Sequence, residues 1–200
     1  MRIIAGTKKG MKLFAPKTNL TRSVTDRVKE SIFDILNCYG FPKNKSTADL
    51  FSGVGSMGLE ALSRGARFVS FVERNDLTLS ILKKNIIKAG FTDKCKVLRG
   101  DAYQIGAPPR TDNQKYELVF TDPPYRDTDI KKADSPLDAL LKTLSTQIAS
   151  GAIVVVRTSV NAPQLAQYPP LKIIDERCYG NMLIRFLIKQ HTTEPERENQ

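Results

Sequence analysis

Residues 49–58 read Asp49-Leu-Phe-Ser-Gly53-Val-Gly55-Ser-Met-Gly58, and Glu73 stands 20 residues beyond Gly53. A short strand pattern, Thr47–Phe51, leads into the glycines, and a helical one, Ser56–Arg64 closed by Gly65, leads out. Glycine at such a turn lets the backbone come close to a ligand, because no Cβ intervenes. Outward from this unit, strands and helices alternate. Arg67–Glu73 reads as a strand, then Asp76–Ala89 as a helix with Asn75 as candidate N-cap and Gly90 as candidate C-cap. Strands follow at Lys96–Arg99 and Tyr116–Thr121, separated by a loop around Pro108-Pro109. Leu137–Ala149 reads as a helix and Ala152–Arg157 as a strand, whose Ile-Val-Val-Val run suits a strand covered on both faces. Lys172–Arg177 and Leu183–Lys189 flank Tyr179-Gly180-Asn181 as a terminal hairpin. This order predicts an α/β fold with a doubly wound, Rossmann-like, mostly parallel sheet carrying one antiparallel strand. Ligands of such sheets bind beyond the carboxyl ends of the strands, at the switch point.

Upstream, Arg2–Ala5 and Met11–Phe14 flank a Gly/Lys turn and read as a β-hairpin; Pro16–Arg22 is a polar linker. Val28, Ile32, Ile35, Leu36 and Tyr39 recur at helical spacing behind Thr25 as N-cap, and Gly40 and Pro42 stop the helix. The expected organisation is residues 1–45 as a basic hairpin and helix packed on a main domain of residues 46–190, with a polar, disordered tail over 191–200. The 200-residue chain carries a net charge of +10. Residues 1–45 hold ten basic side chains against three acids, so +7 of it is concentrated there. That block suits a polyanion such as nucleic acid, or an anionic membrane surface. Three scattered cysteines without a CxxC imply neither a disulfide framework nor a zinc site, and Cys38 and Cys178 read as small core residues. His191 is the only histidine, which argues against serine or cysteine triads and against histidine-rich metal sites. No apolar run reaches about 18 residues and Met1–Gly10 lacks a signal-peptide core. A cytoplasmic, metal-free monomer is the expectation.

Gly53, Gly55 and Gly58 formally satisfy GxGxxG, and Glu73 lies at the spacing of a ribose-binding acid, so a nicotinamide-dependent oxidoreductase is one reading. Two features favour another. Asp49, four residues before Gly53, would repel a pyrophosphate but suits a ligand with an ammonium and a sulfonium. Gly100-Asp101-Ala102 follows the next strand, where an acid can take an adenine amino group. Each acid alone is as well read as a helix or turn cap. Asp49, Glu73 and Asp101 at successive strand ends, with Gly53, Gly55 and Ala102, describe a site for S-adenosylmethionine.

Asp122-Pro123-Pro124-Tyr125 follows the Tyr116–Thr121 strand. Two prolines fix φ and remove two N–H donors, so the corner is stiff and its carbonyls are expected to face outward. Asp122 and the Pro123 carbonyl can then accept both hydrogens of one exocyclic NH₂. A base amine is a poor nucleophile because its lone pair is delocalised. Holding both hydrogens lets the nitrogen pyramidalise towards a methyl donor, with orientation and charge acceptance as the main catalytic terms. Tyr125 offers a face for base stacking.

The DPPY corner with the Asp49 loop resembles the amino-methyltransferases of DNA and RNA bases. The order Arg2-Ile-Ile-Ala-Gly6, Thr25-Asp-Arg-Val-Lys-Glu30, Leu50-Phe-Ser-Gly53, Gly58-Leu-Glu-Ala-Leu-Ser-Arg-Gly-Ala66 and DPPY resembles, over roughly residues 2–189, the RsmD family of 16S rRNA guanine-N2 methyltransferases. The resemblance implies S-adenosylmethionine as methyl donor and one guanine of bacterial 16S rRNA as acceptor, in the small subunit or its assembly intermediate. It places the cofactor on Asp49, Gly53, Gly55, Glu73 and Asp101, and the guanine on Asp122 and Tyr125. The chain departs from the family at Ser23-Val24, where Pro-Thr is common, at Ser52 and Val54, where Ala and Thr are common, and at Arg157, near where an acid is frequent.

Further candidates for RNA or cofactor contact are Arg22, Thr25 and Arg27 at the cleft edge and Lys8, Lys9 and Lys12 on the hairpin, with Pro124 beside the base. Arg126 reads as a loop arginine, and Tyr179 and Asn181 as a plain hairpin turn. A stacked and paired guanine hides N2, so the target is expected to be an unpaired or flipped nucleotide. Two other readings compete. A DNA adenine-N6 methyltransferase shares DPPY, but the chain leaves little room for a sequence-reading domain. A non-catalytic RNA-binding assembly factor would tolerate loss of the acid, and Asp122 is intact.

Overall fold

A computed structural model describes residues 1–16, 24–109, 114–128, 135–163, 165 and 170–190. Its elements are α1 (Asp26–Cys38), β1 (Ser46–Leu50), α2 (Ser56–Ser63), β2 (Phe68–Glu73), α3 (Asp76–Ala89), β3 (Cys95–Arg99), α4 (Ala102–Ile105), β4 (Tyr116–Thr121), α5 (Tyr125–Thr128), α6 (Pro136–Gln147), β5 (Ile148–Ser159), β6 (Leu171–Tyr179) and β7 (Met182–Lys189). The strands form one sheet in the order β3-β2-β1-β4-β5-β7-β6. Only β7 runs against the rest, pairing antiparallel with both β5 and β6. The chain reverses its winding between β1 and β4, which pair in parallel, so the switch point lies at their carboxyl ends.

Alternating strand residues feed two cores, as period-2 side-chain geometry requires. Val69, Phe71, Phe120, Ile153 and Val155 face α1, α2 and α3. Ala48, Leu50, Val72, Val154 and Val156 face the α6 side with Leu137, Leu140, Leu141 and Leu144. The expected caps are in place: the Thr25 side chain accepts from Val28 N, Asn75 from Thr78 N, and Gly90 closes α3 in the left-handed conformation. No helix among the described residues is long and apolar enough to cross a membrane.

Four expectations change. The N-terminal hairpin contracts to a single Arg2–Lys12 bridge beside a 3₁₀ turn at Gly6–Lys8. Ile3 N still donates to the Met11 carbonyl, Gly10 N to the Ile3 carbonyl and Leu13 N to the Met1 carbonyl, but the groups next to them are held by α2. Ile4 N and Ala5 N donate to the Glu60 carboxylate at 2.8 and 3.0 Å, Lys8 N donates to Ser63 Oγ, and Ser63 Oγ donates to the Ala5 carbonyl. Gly6 has φ +76° and a Cβ there would lie 1.9 Å from the Ser63 carbonyl oxygen, so no other residue fits the turn against α2. The segments Arg2–Gly6 and Gly58–Ala66 are therefore partners. Second, α6 ends at Gln147, not Ala149. A Ser135–Asp138 capping box with Pro136 starts it one residue early, and Ile148 is drawn into register with Tyr116 of β4. Third, single helical turns α4 and α5 follow β3 and β4 where loops were expected. Fourth, Cys38 and Cys178 are exposed rather than core. Cys38 ends α1, and Cys178 lies on β6, an edge strand open on one side. The linker from Lys17 to Ser23, including Arg22, and the tail over 191–200 lie outside the described residues.

Candidate active site

Four acids stand in one row at the carboxyl ends of adjacent strands: Asp101 after β3, Glu73 closing β2, Asp49 in β1 and Asp122 after β4. The glycine loop emerges in the middle of this row. Asp49 is buried, and its Oδ2 accepts the Gly58 N–H at 2.8 Å. It was expected to face a ligand; one of its oxygens instead holds the first turn of α2 down on β1. Burial pushes its carboxyl well above the ordinary 3.8. The Asp122 and Glu73 charges push the same way, while the Gly58 bond and Lys29 oppose them.

Glu73 ties the loop to β2. Its Oε2 accepts Gly53 N at 2.9 Å, and its Oε1 accepts Arg74 N and Asn75 N at 2.9 and 2.8 Å. An ionised carboxylate has about four acceptor positions, so Oε2 retains one for a ligand. The two loop glycines are glycines for different reasons. A Cβ on Gly53 would meet only the Phe51 carbonyl, at 4.0 Å, so this stretch of backbone is open to a ligand. A Cβ on Gly55 would lie 2.5 Å from Leu82 Cδ1, so Gly55 serves the packing of α3. Asp101 caps α4 through Tyr103 N at 3.0 Å and pairs with Arg74 at 3.2 Å, with Ala102 buried behind it.

These residues fit a cationic adenosine cofactor. Three carboxylates occupy successive strand ends and the backbone over Gly53 is open. Ser56 Oγ, at the start of α2, is buried and has no hydrogen-bond partner among the described residues.

The DPPY corner sits across the switch point from the loop, since Asp49 pairs with Phe120 and Leu50 with Thr121. Asp122 is half-buried and pairs with Arg157 of β5, Nε donating to Oδ1. Burial raises its carboxyl above the ordinary range, and the Arg157 charge and hydrogen bond oppose that. Pro123 is buried. The Pro124 carbonyl does not face outward as expected: it accepts Asp127 N at 2.9 Å and closes the α5 turn. Tyr125 opens α5, and the Arg157 guanidinium lies 5.7 Å from its ring centroid.

Of the basic candidates, Lys8 lies away from this cleft. Arg27 is exposed in the first turn of α1, and Lys9 and Lys12 are exposed. Lys8 lies over the Phe91 ring, beside Gly90 at the far end of α3. Fourteen helical residues separate that end from the strand tips, about 20 Å. Three residues that shape the site were not singled out from sequence. Phe51 has φ +56° and packs edge-on against Tyr103, with ring centroids 4.8 Å apart. The Tyr103 hydroxyl donates to Asp127, and burial pushes its phenol up. Arg157 was visible only as a departure from the family pattern. Nothing in a linear pattern reports a positive φ or a pairing 35 residues apart.

Asp49→Asn keeps an acceptor for Gly58 N–H and removes the buried charge. A carboxyl raised in the folded state binds its proton more tightly there than in the unfolded chain. Wild-type stability therefore falls as pH rises from about 3.8 through the raised folded value. The variant should melt above wild type, by a margin that widens over that range. Thermal melts from pH 4 to 8 check this; a margin independent of pH would contradict it.

The family model described as "Conserved hypothetical protein 95" matches residues 1–188. YlbH of Bacillus subtilis, which carries the name of an rRNA methyltransferase, is 37% identical over 131 residues, 66% of this chain and 70% of that protein. The ribosomal RNA small subunit methyltransferase D of Haemophilus influenzae is 30% identical over 165 residues, 82% of this chain and 81% of its own length. Among solved structures, yhhF of Escherichia coli, by name a methyltransferase, matches with a TM-score of 0.79 at 25% identity, over 95% of this chain and 98% of its own. With almost the whole chain matched and each motif in its place on the sheet, the chain belongs to the RsmD family.

Proposed function

We propose that the chain transfers the methyl group of S-adenosylmethionine to the exocyclic N2 of a guanine in bacterial 16S rRNA, in the small ribosomal subunit or its assembly intermediate. The observation that carries this reading is the placement of the Asp122-Pro-Pro-Tyr125 corner at the tip of β4, next to the glycine loop at the tip of β1. The names of the relatives point the same way.

The cofactor supplies an electrophilic methyl on a cationic sulfur. Gly53, Glu73, Asp101 and Ala102 would hold its adenosine part, Gly55 shapes the loop, and Asp49 anchors that loop through Gly58. Asp122 and the Pro123 carbonyl accept the two N2 hydrogens, and Tyr125 stacks on the base beside Pro124. As the amine becomes a methylamine it sheds one proton. Asp122, whose proton affinity is raised by burial, is placed to take it. Residues 1–45 make the phosphate contacts, through Lys8, Lys9, Lys12, Arg27 and Arg22, the last outside the described residues. Contacts about 20 Å from the reacting base suit a folded RNA rather than a single nucleotide.

The test is transfer of labelled methyl onto 30S subunits from a strain lacking the activity, followed by nuclease mapping of the modified base. Incorporation at one guanine is expected, and affinity for the RNA should fall with salt at a slope set by the phosphates contacted. Label on duplex DNA and none on rRNA would overturn the assignment.

A further inference from the structure

Arg157 lies near the carboxyl end of β5, one residue past Val156, which is in register with Thr121 of β4. That register sets it beside the residue following Thr121, namely Asp122. Its Nε donates to Asp122 Oδ1, and Oδ2 accepts no hydrogen bond among the described residues. Its guanidinium is also 5.7 Å from the Tyr125 ring centroid. The Arg157 side chain is 14% exposed and that of Asp122 28%, so the pair is shielded but reachable from the cleft.

We propose that Arg157 is a positioning residue for base methylation: it grips Asp122 by one oxygen, leaves the other to the base amine, and backs the ring on which the base stacks. The inference rests on the methyl-transfer reading above. An oxygen that carries a proton becomes a donor and a much weaker acceptor, so the corner works best while Asp122 is ionised. The charged groups around it make that difficult. Asp49 of β1 is close enough for its charge and that of Asp122 to oppose one another. On α5, Arg126 pairs with Asp127 at 3.5 Å, and Asp127 also receives the Tyr103 hydroxyl from α4. Arg157 is the cation whose charge and hydrogen bond favour ionised Asp122. A planar guanidinium can bond a carboxylate along its edge and lay its flat face on a ring at the same time; an ammonium has no plane to stack and serves the two less well together. The same side chain thus sets the charge of the acid, the free oxygen and the backing of the stacking ring.

The test uses the full chain with labelled cofactor and 30S subunits, comparing Arg157→Gln and Arg157→Lys with wild type across pH 5.5–9. For Arg157→Gln we expect kcat to fall on the order of tenfold at neutral pH. The acidic limb of its profile should move up by roughly one pH unit or more, with activity regained towards alkaline pH. Arg157→Lys should restore the limb but raise KM for the RNA, because the ring backing is lost. Cofactor affinity should stay within about twofold in both. A wild-type profile in Arg157→Gln, or a loss equal at every pH, overturns the proposal. Carbon-13 titration of aspartate-labelled protein, with Asp122 assigned through Asp122→Asn, reads the pair without any RNA. If wild type methylates no RNA yet the Asp122 titration moves up in Arg157→Gln, the functional reading falls and the pairing role stands. If Asp122 titrates alike in both proteins, the inference falls whatever the RNA result.

Discussion

Asp122→Ala should reduce methyl transfer by at least two to three orders of magnitude while cofactor affinity stays within about twofold. Removing one preorganised hydrogen-bonding group aimed at developing charge typically costs about 10²–10³ in kcat. Here the loss is compounded. The base amine has no lone pair free to attack until both of its hydrogens are held, so the remaining Pro123 carbonyl cannot do the work of two acceptors. Alanine also leaves the Arg157 guanidinium, 14% exposed, facing the substrate without its carboxylate. The residues proposed to hold the cofactor lie on or after β1, β2 and β3, and none of them hydrogen-bonds Asp122 among the described residues. Single-turnover transfer with saturating cofactor measures the chemical step, and calorimetric titration measures cofactor affinity. Full turnover in the variant would remove Asp122 from the chemistry. Weak transfer together with weak cofactor binding would mean that the corner supports the cofactor rather than the base.

Glu60→Ala should be the most destabilising single substitution outside the hydrophobic core. Glu60 and Lys29 are both completely buried, with Lys29 Nζ 3.9 Å from Glu60 Oε2. Glu60 also accepts Ile4 N, Ala5 N and Arg64 Nε, and Lys29 donates to the Arg2 carbonyl at 2.8 Å. Burial lowers the Lys29 ammonium, and Glu60 is the largest influence opposing that. Without Glu60 the ammonium stands unpaired in an apolar interior and two backbone amides lose their acceptor. Breaking a buried pair in this way costs about 3–5 kcal/mol. For a chain of this length that corresponds to a melting temperature roughly 10 °C lower. The pH dependence identifies the cause. A lysine lowered in the folded state binds its proton less tightly there than when unfolded, so stability is regained as pH rises towards the unfolded value. The deficit should shrink between neutral pH and about pH 10. A deficit constant over that range would assign the loss to the two amides alone. Replacing Lys29 by Met in the same background should recover part of the stability, because the orphaned charge goes and the amides stay unsatisfied.

These two acids were differently legible. Asp122 stands out in the sequence because prolines and a tyrosine follow a β-rich apolar run, a pattern read within ten residues. Glu60 sits in an apolar helix and was noticed only as part of a family-specific stretch. Its role appears once α2 is seen with the N-terminal segment laid across it, 55 and 56 residues away along the chain. The same holds for Asp49, whose residue type suggested a ligand contact and whose burial gives one of its oxygens to Gly58. The lysines of the first segment show the limit of composition. Their number indicated a polyanionic partner, yet the turn that carries Lys8 is anchored at the end of α3 away from the strand tips.

The alternation of strand and helix, the caps at Thr25, Asn75 and Gly90, the glycine loop and the proline corner were all set by local sequence. Each depends on backbone preferences and side-chain periodicity within a turn or a few residues. What joined them was decided only in three dimensions: the Arg157–Asp122 pair, the Glu60–Lys29 anchor, and the contraction of the hairpin to a single bridge. The physical reason is that strand order, not chain order, chooses neighbours. β5 lies against β4 and α2 lies under the first residues, so charges that no linear spacing relates meet where burial makes pairing obligatory.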